Sequence, residues 1–293
     1  MSALHAESPR FHHVVCADRS DQPRMAWTEW GDPTNPRVLV CVHGLSRQGR
    51  DFDTLAQDLA GAYRVVCPDV VGRGRSDWLR DPMGYAIPAY AADMMRLVAA
   101  LGVAEVDWVG TSMGGLIGLA LSSLPGSPVR RLVLNDVGPR LELDALQRIG
   151  QYLGAPVRWD TLEQAAEALW AVSASFGPHT PAQWMALTRP QLVADGTGFK
   201  PHYDPAIALP FKAATAELVQ AGEAALWQIW DHLRLPALVL RGQESDLLTE
   251  VTLQEMLRRQ PLARAVEFAG VGHAPMLQQP DQREAVRAFL EQA

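Results

Sequence analysis

Short apolar runs alternate along the chain with longer stretches whose apolar residues recur at helical spacing. The run Arg-Val-Leu-Val-Cys-Val over residues 37–42 ends at His43-Gly44, a β-branched segment stopped by a turn residue, and predicts a buried strand. The pattern then repeats: a helix over 53–59, a strand over 64–69, a helix over 88–101 and a strand over 106–110. A helix over 113–124, a strand over 129–135 and two more strands over 236–242 and 264–268 follow. Such alternation implies a mainly parallel sheet with helices on both faces. Two earlier candidates, residues 11–16 and 25–30, predict an antiparallel ribbon at one edge.

Between Gly138 and Pro236 the alternation stops and the periodicity reads as helices only, over 141–152, 161–173, 181–188, 213–218 and 222–233. This predicts a helical cap, residues 139–235, inserted into a core formed by 1–138 and 236–293. The insertion holds Trp159, Trp170, Trp184, Trp227 and Trp230, five of the nine tryptophans. These indoles either line a pocket or pack the cap onto the sheet, and aromatics dominate ordinary cores. None of them is singled out as a ligand contact.

With 48% hydrophobic and 20% charged residues among 293, the chain has the apolar content to bury a core, which excludes a disordered or fibrous class. The net charge of −7 and the lack of a basic run argue against a nucleic-acid partner. The three cysteines, Cys16, Cys41 and Cys67, form no metal-ligand spacing, and their odd number argues against a disulfide framework. They are expected to be buried thiols in a reducing compartment. Residues 1–13 carry no apolar signal segment and no stretch of about 18 apolar residues occurs, so the expectation is a cytoplasmic chain without a membrane partner.

Gly110-Thr111-Ser112-Met113-Gly114 fits G-x-S-x-G. Composition alone would produce the pattern about 0.1 times in a chain of this length, so its setting decides. It follows an apolar strand and opens a helix, the context that a nucleophile elbow requires: a serine on a sharp turn, flanked by glycines that let strand and helix approach. The competing reading, a phosphate-binding turn, lacks both G-x-G-x-x-G and G-x-x-x-x-G-K at this place.

At this point the chain resembles the α/β-hydrolase family, specifically its capped members. The resemblance runs through five ordered motifs: His43-Gly44-Leu45, Asp69 to Ser76, Gly110 to Gly114, Ser245-Asp246 and Gly272-His273. It implies an eight-stranded, mainly parallel sheet. It also implies Ser112 as nucleophile, Asp246 as the acid, His273 as the base, and the backbone N–H groups of Leu45 and Met113 as the oxyanion hole. Glu244, in the same loop as Asp246, and Asp136, at the end of the preceding core strand, are the competing acids. His5, His12, His13, His179, His202 and His232 are expected at the surface or in packing roles, and His43 is expected to shape the oxyanion loop. Asp69 is expected to support that loop. Arg47 is left between a substrate-carboxylate contact at the pocket mouth and a solvated loop charge.

A serine rather than an aspartate at the elbow implies acyl chemistry through an acyl-enzyme, without metal or organic cofactor. A small-molecule carboxylic ester is the expected substrate, lactones included. Two alternatives stay open: a carbon–carbon hydrolase of a ring-fission product, and a ligand-binding member of the fold with an idle triad.

Overall fold

The computed structural model describes residues 8–140 and 142–292; His5 and Leu141, the first residue of an expected helix, lie outside them. The chain runs β1 (Arg10–Val15), β2 (Arg24–Trp30), β3 (Val38–Val42), α1 (Asp53–Leu59), β4 (Arg64–Pro68), α2 (Ile87–Leu101), β5 (Val106–Thr111), α3 (Met113–Ser122) and β6 (Val129–Asn135). The inserted segment follows with α4 (Leu143–Tyr152), α5 (Leu162–Ser173), α6 (Pro181–Thr188), β7 (Leu192–Asp195), β8 (Gly198–Pro201), α7 (Ala208–Lys212) and α8 (Ala216–His232). The chain then returns to the sheet through β9 (Ala237–Gly242), α9 (Glu250–Arg259), β10 (Ala263–Phe268) and α10 (Pro280–Leu290).

Eight strands form one sheet in the order β1-β2-β4-β3-β5-β6-β9-β10. Only β2 runs against the other strands, antiparallel to β1 and to β4, and with β1 it makes the edge ribbon predicted from the sequence. The central strands are apolar throughout because both faces are covered; every residue of β3 and of β9 is buried. Alternate side chains feed two cores. Val40, Trp108, Leu132 and Val239 point to the side of α2, α3, α8 and α9, whereas Leu39, Cys41, Val109, Val133 and Leu238 meet Leu55 and Leu59 of α1 and Val286 and Phe289 of α10. All three cysteines are free and buried.

The inserted segment differs from the all-helical expectation. Strands β7 and β8 form a two-stranded antiparallel hairpin, turned at Gly196, whose φ of +60° suits a residue without a side chain. The signal was present as Asp195-Gly196-Thr197-Gly198 between apolar residues, but each strand is only four residues long. The two helices expected over 213–218 and 222–233 are one, α8; Gly222 lies within it and does not break it, because glycine costs a helix interior only about 1 kcal/mol. Helices α5 and α6 begin at Thr161 and Thr180, each closing a capping box with Gln164 or Gln183, a device of about 1 kcal/mol per helix.

Candidate active site

The site is built by strand register. Val42 of β3 pairs with Gly110 of β5, Thr111 of β5 with Asn135 of β6, and Asn135 with Leu240 of β9. The carboxyl ends of these parallel strands therefore lie level, and the residues immediately beyond them, His43, Ser112 and Asp136, emerge at one edge, where open α/β sheets carry their sites.

Ser112 sits between β5 and α3 with φ +51° and ψ −115°, a conformation that side chains rarely adopt. The turn is held by its N–H donating to the Asn135 carbonyl at 2.9 Å. It is possible only because its neighbours lack side chains. A Cβ on Gly110 would stand 2.2 Å from the Gly114 carbonyl oxygen, and one on Gly114 would stand 2.0 Å from the Val42 carbonyl oxygen.

The imidazole of His273, in the loop between β10 and α10, lies with Nε2 3.1 Å from Ser112 Oγ. Its Nδ1 lies 2.7 Å from Asp136 Oδ2, not from Asp246. Asp136 is fully buried at the end of β6 with φ +57°. It accepts two further hydrogen bonds, from the Gly242 N–H to Oδ1 at 2.9 Å and from Ser245 Oγ to Oδ2 at 2.6 Å. An ionised carboxylate can only accept, so Nδ1 of His273 carries the proton and Nε2 is left to accept from the serine hydroxyl.

Asp246 is elsewhere. Its carboxylate is exposed and forms a bidentate pair with Arg148 of α4, both bonds 2.9 Å. Glu244 is exposed as well. The geometry therefore sets Asp136, and not the expected Asp246, against the imidazole: the loop after β9 turns its Ser245 inward and its two carboxylates outward. Ser245, which stands beside Asp246 in the motif and carries no expected role, is the residue of that loop that reaches the site. Its hydroxyl spends its proton on Asp136 and accepts from the Leu248 N–H at 3.1 Å.

Gly44 follows β3 so closely under the serine that a Cβ on it would lie 3.7 Å from Ser112 Cβ. His43 is fully buried. The Val70 N–H donates to its Nε2 at 2.9 Å, so the ring proton is on Nδ1 and donates to the Gly44 carbonyl at 2.7 Å. In a trans peptide C=O and N–H point in opposite directions, so fixing the Gly44 carbonyl turns the Leu45 N–H of the same peptide away from His43. Burial pushes the His43 imidazole down to about 3, and the nearby Arg73 and Arg47 charges push the same way. Met113 is the first residue of α3, so its N–H has no partner within the helix. Asp69 accepts from the Gly49 and Arg75 N–H groups at 2.8 and 2.9 Å; its burial without a contacting counter-charge raises it to about 6.

Ser112 and His273 open onto a cavity of about 310 Å³. Its far wall comes from the inserted segment, including Arg148, Tyr152, Trp159 and Leu169. Of the five tryptophans only Trp159 lines it. Trp230 is buried on α9, Trp184 and Trp170 pack on each other at 4.8 Å between ring centres, and Trp227 lies under Arg259. Arg47 lines the cavity but is not a solvated charge: its guanidinium is held on Asp51 by two bonds of 2.7 Å. Among the described residues only His273 of the histidines hydrogen-bonds to Ser112; His12 stacks on Trp27 and His179 sits among Trp170 and Trp184. No group of three His, Cys, Asp or Glu among the described residues could hold a metal ion, and none of their helices is long and apolar enough to cross a membrane.

Comparison with known proteins places this geometry in a family. Residues 39–286 match the model of the alpha/beta hydrolase family. The chain is 54% identical over 279 residues to a 3-hydroxybutyrate-oligomer hydrolase of Cupriavidus necator, covering 94% of this chain and 95% of the relative. It is 28% identical to the esterase YbfF of Escherichia coli, over 87% of this chain and 94% of the relative. Among solved structures, an alpha/beta hydrolase from Novosphingobium aromaticivorans is 35% identical and superposes with a TM-score of 0.85, covering 97% of this chain and 98% of the other. The chain therefore belongs to the alpha/beta hydrolase family and is an enzyme, a hydrolase.

Proposed function

We propose that this hydrolase cleaves carboxylic esters through Ser112, His273 and Asp136, and that its substrates are short linear esters of the 3-hydroxybutyrate oligomer type. The observation that carries the reading is the unbroken hydrogen-bonded line from Ser112 Oγ through the imidazole of His273 to buried Asp136, at the floor of a cavity. Ser112 attacks the ester carbonyl carbon while His273 Nε2 takes its proton, and Asp136 holds the ring and stabilises the imidazolium. The carbonyl oxygen becomes an anion facing the N–H groups of Leu45 and Met113, each such donor being worth about 3–4 kcal/mol of barrier in comparable enzymes. His273 passes the proton to the departing alcohol. A water then enters, loses its proton to Nε2 and releases the acid from Ser112. The mostly apolar cavity wall suits an aliphatic ester chain. The oligomer assignment rests on the 54% identity over nearly the whole chain to a hydrolase of that substrate.

The test is turnover of 3-hydroxybutyrate dimer and trimer beside p-nitrophenyl butyrate, with fluorophosphonate labelling of the serine. Wild type should hydrolyse all three and label at Ser112. Ser112→Ala should lose labelling and at least about 10³-fold in kcat while keeping the wild-type melting temperature. Hydrolysis surviving in Ser112→Ala would reject the serine; hydrolysis of the p-nitrophenyl ester but not of the oligomers would reject the substrate class alone.

A further inference from the structure

Arg73 is fully buried behind the Leu45 loop. Among the described residues no carboxylate lies within ion-pair distance of it. A guanidinium taken out of water without a counter-ion is costly unless its donors are satisfied in another way. Here Nε donates to the Leu45 carbonyl at 2.8 Å, and Nη1 donates to the Val71 carbonyl at 2.8 Å and to the Tyr90 hydroxyl at 2.7 Å. Nη2 donates to Met113 Sδ at 3.6 Å, and the rings of Tyr85 and Tyr90 lie 5.5 and 5.2 Å from Cζ. These carbonyls, hydroxyl, thioether and aromatic faces hold the cation without cancelling its charge.

Two of those partners, Leu45 and Met113, are the residues whose N–H groups face the reacting carbonyl oxygen in the reading above. We propose that Arg73 is a positioning residue of the oxyanion hole, which fixes both donors through the Leu45 carbonyl and the Met113 side chain and whose uncancelled positive charge stabilises the anion formed there. The inference rests on the serine-hydrolase reading. Backbone geometry keeps the side chain in place. Gly72 and Gly74, at φ +90° and +53°, bracket Arg73, and a Cβ on Gly74 would stand 2.4 Å from the Asp69 carboxylate. The Gly74 N–H donates to the His202 carbonyl at 2.8 Å and the Asp204 N–H to the Gly72 carbonyl at 2.7 Å, which ties the loop to the chain after β8. A buried charge already fixed in place needs no reorganisation as the transition state forms, which is the condition under which it accelerates a reaction.

The experiment compares wild type, Ser112→Ala, Arg73→Met and Arg73→Lys in the full chain. It measures kcat and KM on p-nitrophenyl butyrate, inhibition by butylboronic acid, which forms a tetrahedral anion on a serine, and inhibition by neutral butanamide. Arg73→Met removes the charge but leaves the buried Leu45 and Val71 carbonyls without their donor, so the melting temperature should fall by several degrees while kcat falls about 10- to 100-fold. Boronate affinity should fall in parallel, KM and butanamide affinity should stay within about threefold, and Arg73→Lys should recover most of the kcat. Retained kcat in Arg73→Met, or equal losses for boronate and butanamide, would overturn the inference. If the Met variant does not fold, Arg73→Lys decides: kcat and boronate affinity within about tenfold of wild type support it, and loss of both beyond that overturns it. The Ser112→Ala arm separates the two readings, since a Ser112-dependent enzyme indifferent to Arg73 rejects only this one.

Discussion

At the scale of single residues, two aspartates that both follow core strands end in different surroundings. Asp136 meets His273 at 2.7 Å inside the protein, and Asp246 faces outward onto Arg148. If Asp136 is the acid, Asp136→Asn should lower kcat by about 10³- to 10⁴-fold, because the amide no longer holds the correct tautomer of the ring. Asp246→Asn should stay within about threefold, and Ser245→Ala, which removes one hydrogen bond to the acid, should cost about tenfold in kcat at unchanged KM. Steady-state kinetics on one ester rank the three; Asp246→Asn as the most damaged would restore the acid expected from the motif. That Ser112 and His273 would stand together was legible because each lies in a compact local motif. The carboxylate partner of the imidazole was not, since both aspartates follow core strands and only the fold reveals which one the imidazole reaches. The positive φ at Asp136, which aspartate tolerates better than most residues, is likewise invisible in a single sequence.

His43 gives a residue-scale prediction about pH. Its folded value, about 3, lies below the ordinary 6.5, so the unfolded chain binds a proton there between these limits and the native chain does not. Stability from this group is therefore full above about pH 6.5 and is lost as pH falls towards 3, at about 1.4 kcal/mol per unit. Asp69, raised to about 6 in the fold, acts oppositely: the native state takes up the proton first, so this group adds stability as pH falls from 6 to about 4. Urea midpoints of wild type and His43→Asn isolate the histidine. The stability difference between them should shrink by about 2 kcal/mol from pH 6.5 to 5, and a constant difference would contradict a buried neutral His43.

At the scale of elements, the sheet strands and the helices α1, α2 and α3 were legible because each strand of a parallel sheet is apolar on both faces and each of these helices has one apolar face, whereas α9 and α10 drew no expectation. The hairpin β7–β8 and the single long α8 were not legible, because four-residue strands carry little periodicity and a solvent-facing glycine imitates a helix end. One contact between elements bears on how substrate enters. Arg148 of α4 clasps Asp246 after β9 and also lines the cavity, so it joins the inserted segment to the sheet at the cavity wall. Both partners are about half exposed, at 40% and 50%, so the pair itself contributes little more than about 0–1 kcal/mol. Arg148→Gln should therefore move the melting temperature by less than about 3 °C. It should raise KM roughly two- to tenfold with a smaller change in kcat, because the wall is loosened and the reacting groups are untouched. A change confined to kcat would place Arg148 in the chemistry instead.

At the scale of the whole molecule, the order of strands in space departs once from the order along the chain in a way that matters for synthesis. Strands β1 to β6 fill one continuous part of the sheet, but the neighbour of β6 is β9, and the entire inserted segment lies between them in sequence. At about 5–20 residues per second, a ribosome takes roughly 5–20 s to pass from Asn135 to Ala237. During that interval β6, with Leu132, Val133 and Leu134 fully buried in the finished protein, has an open edge ready to pair with any other extended chain. On the proposed mechanism the same delay leaves the nascent chain without its base, since Ser112 and Asp136 are made long before His273, which follows β10. The open edge of β6 is therefore covered by β9 first, and the imidazole that faces Ser112 arrives only after β10.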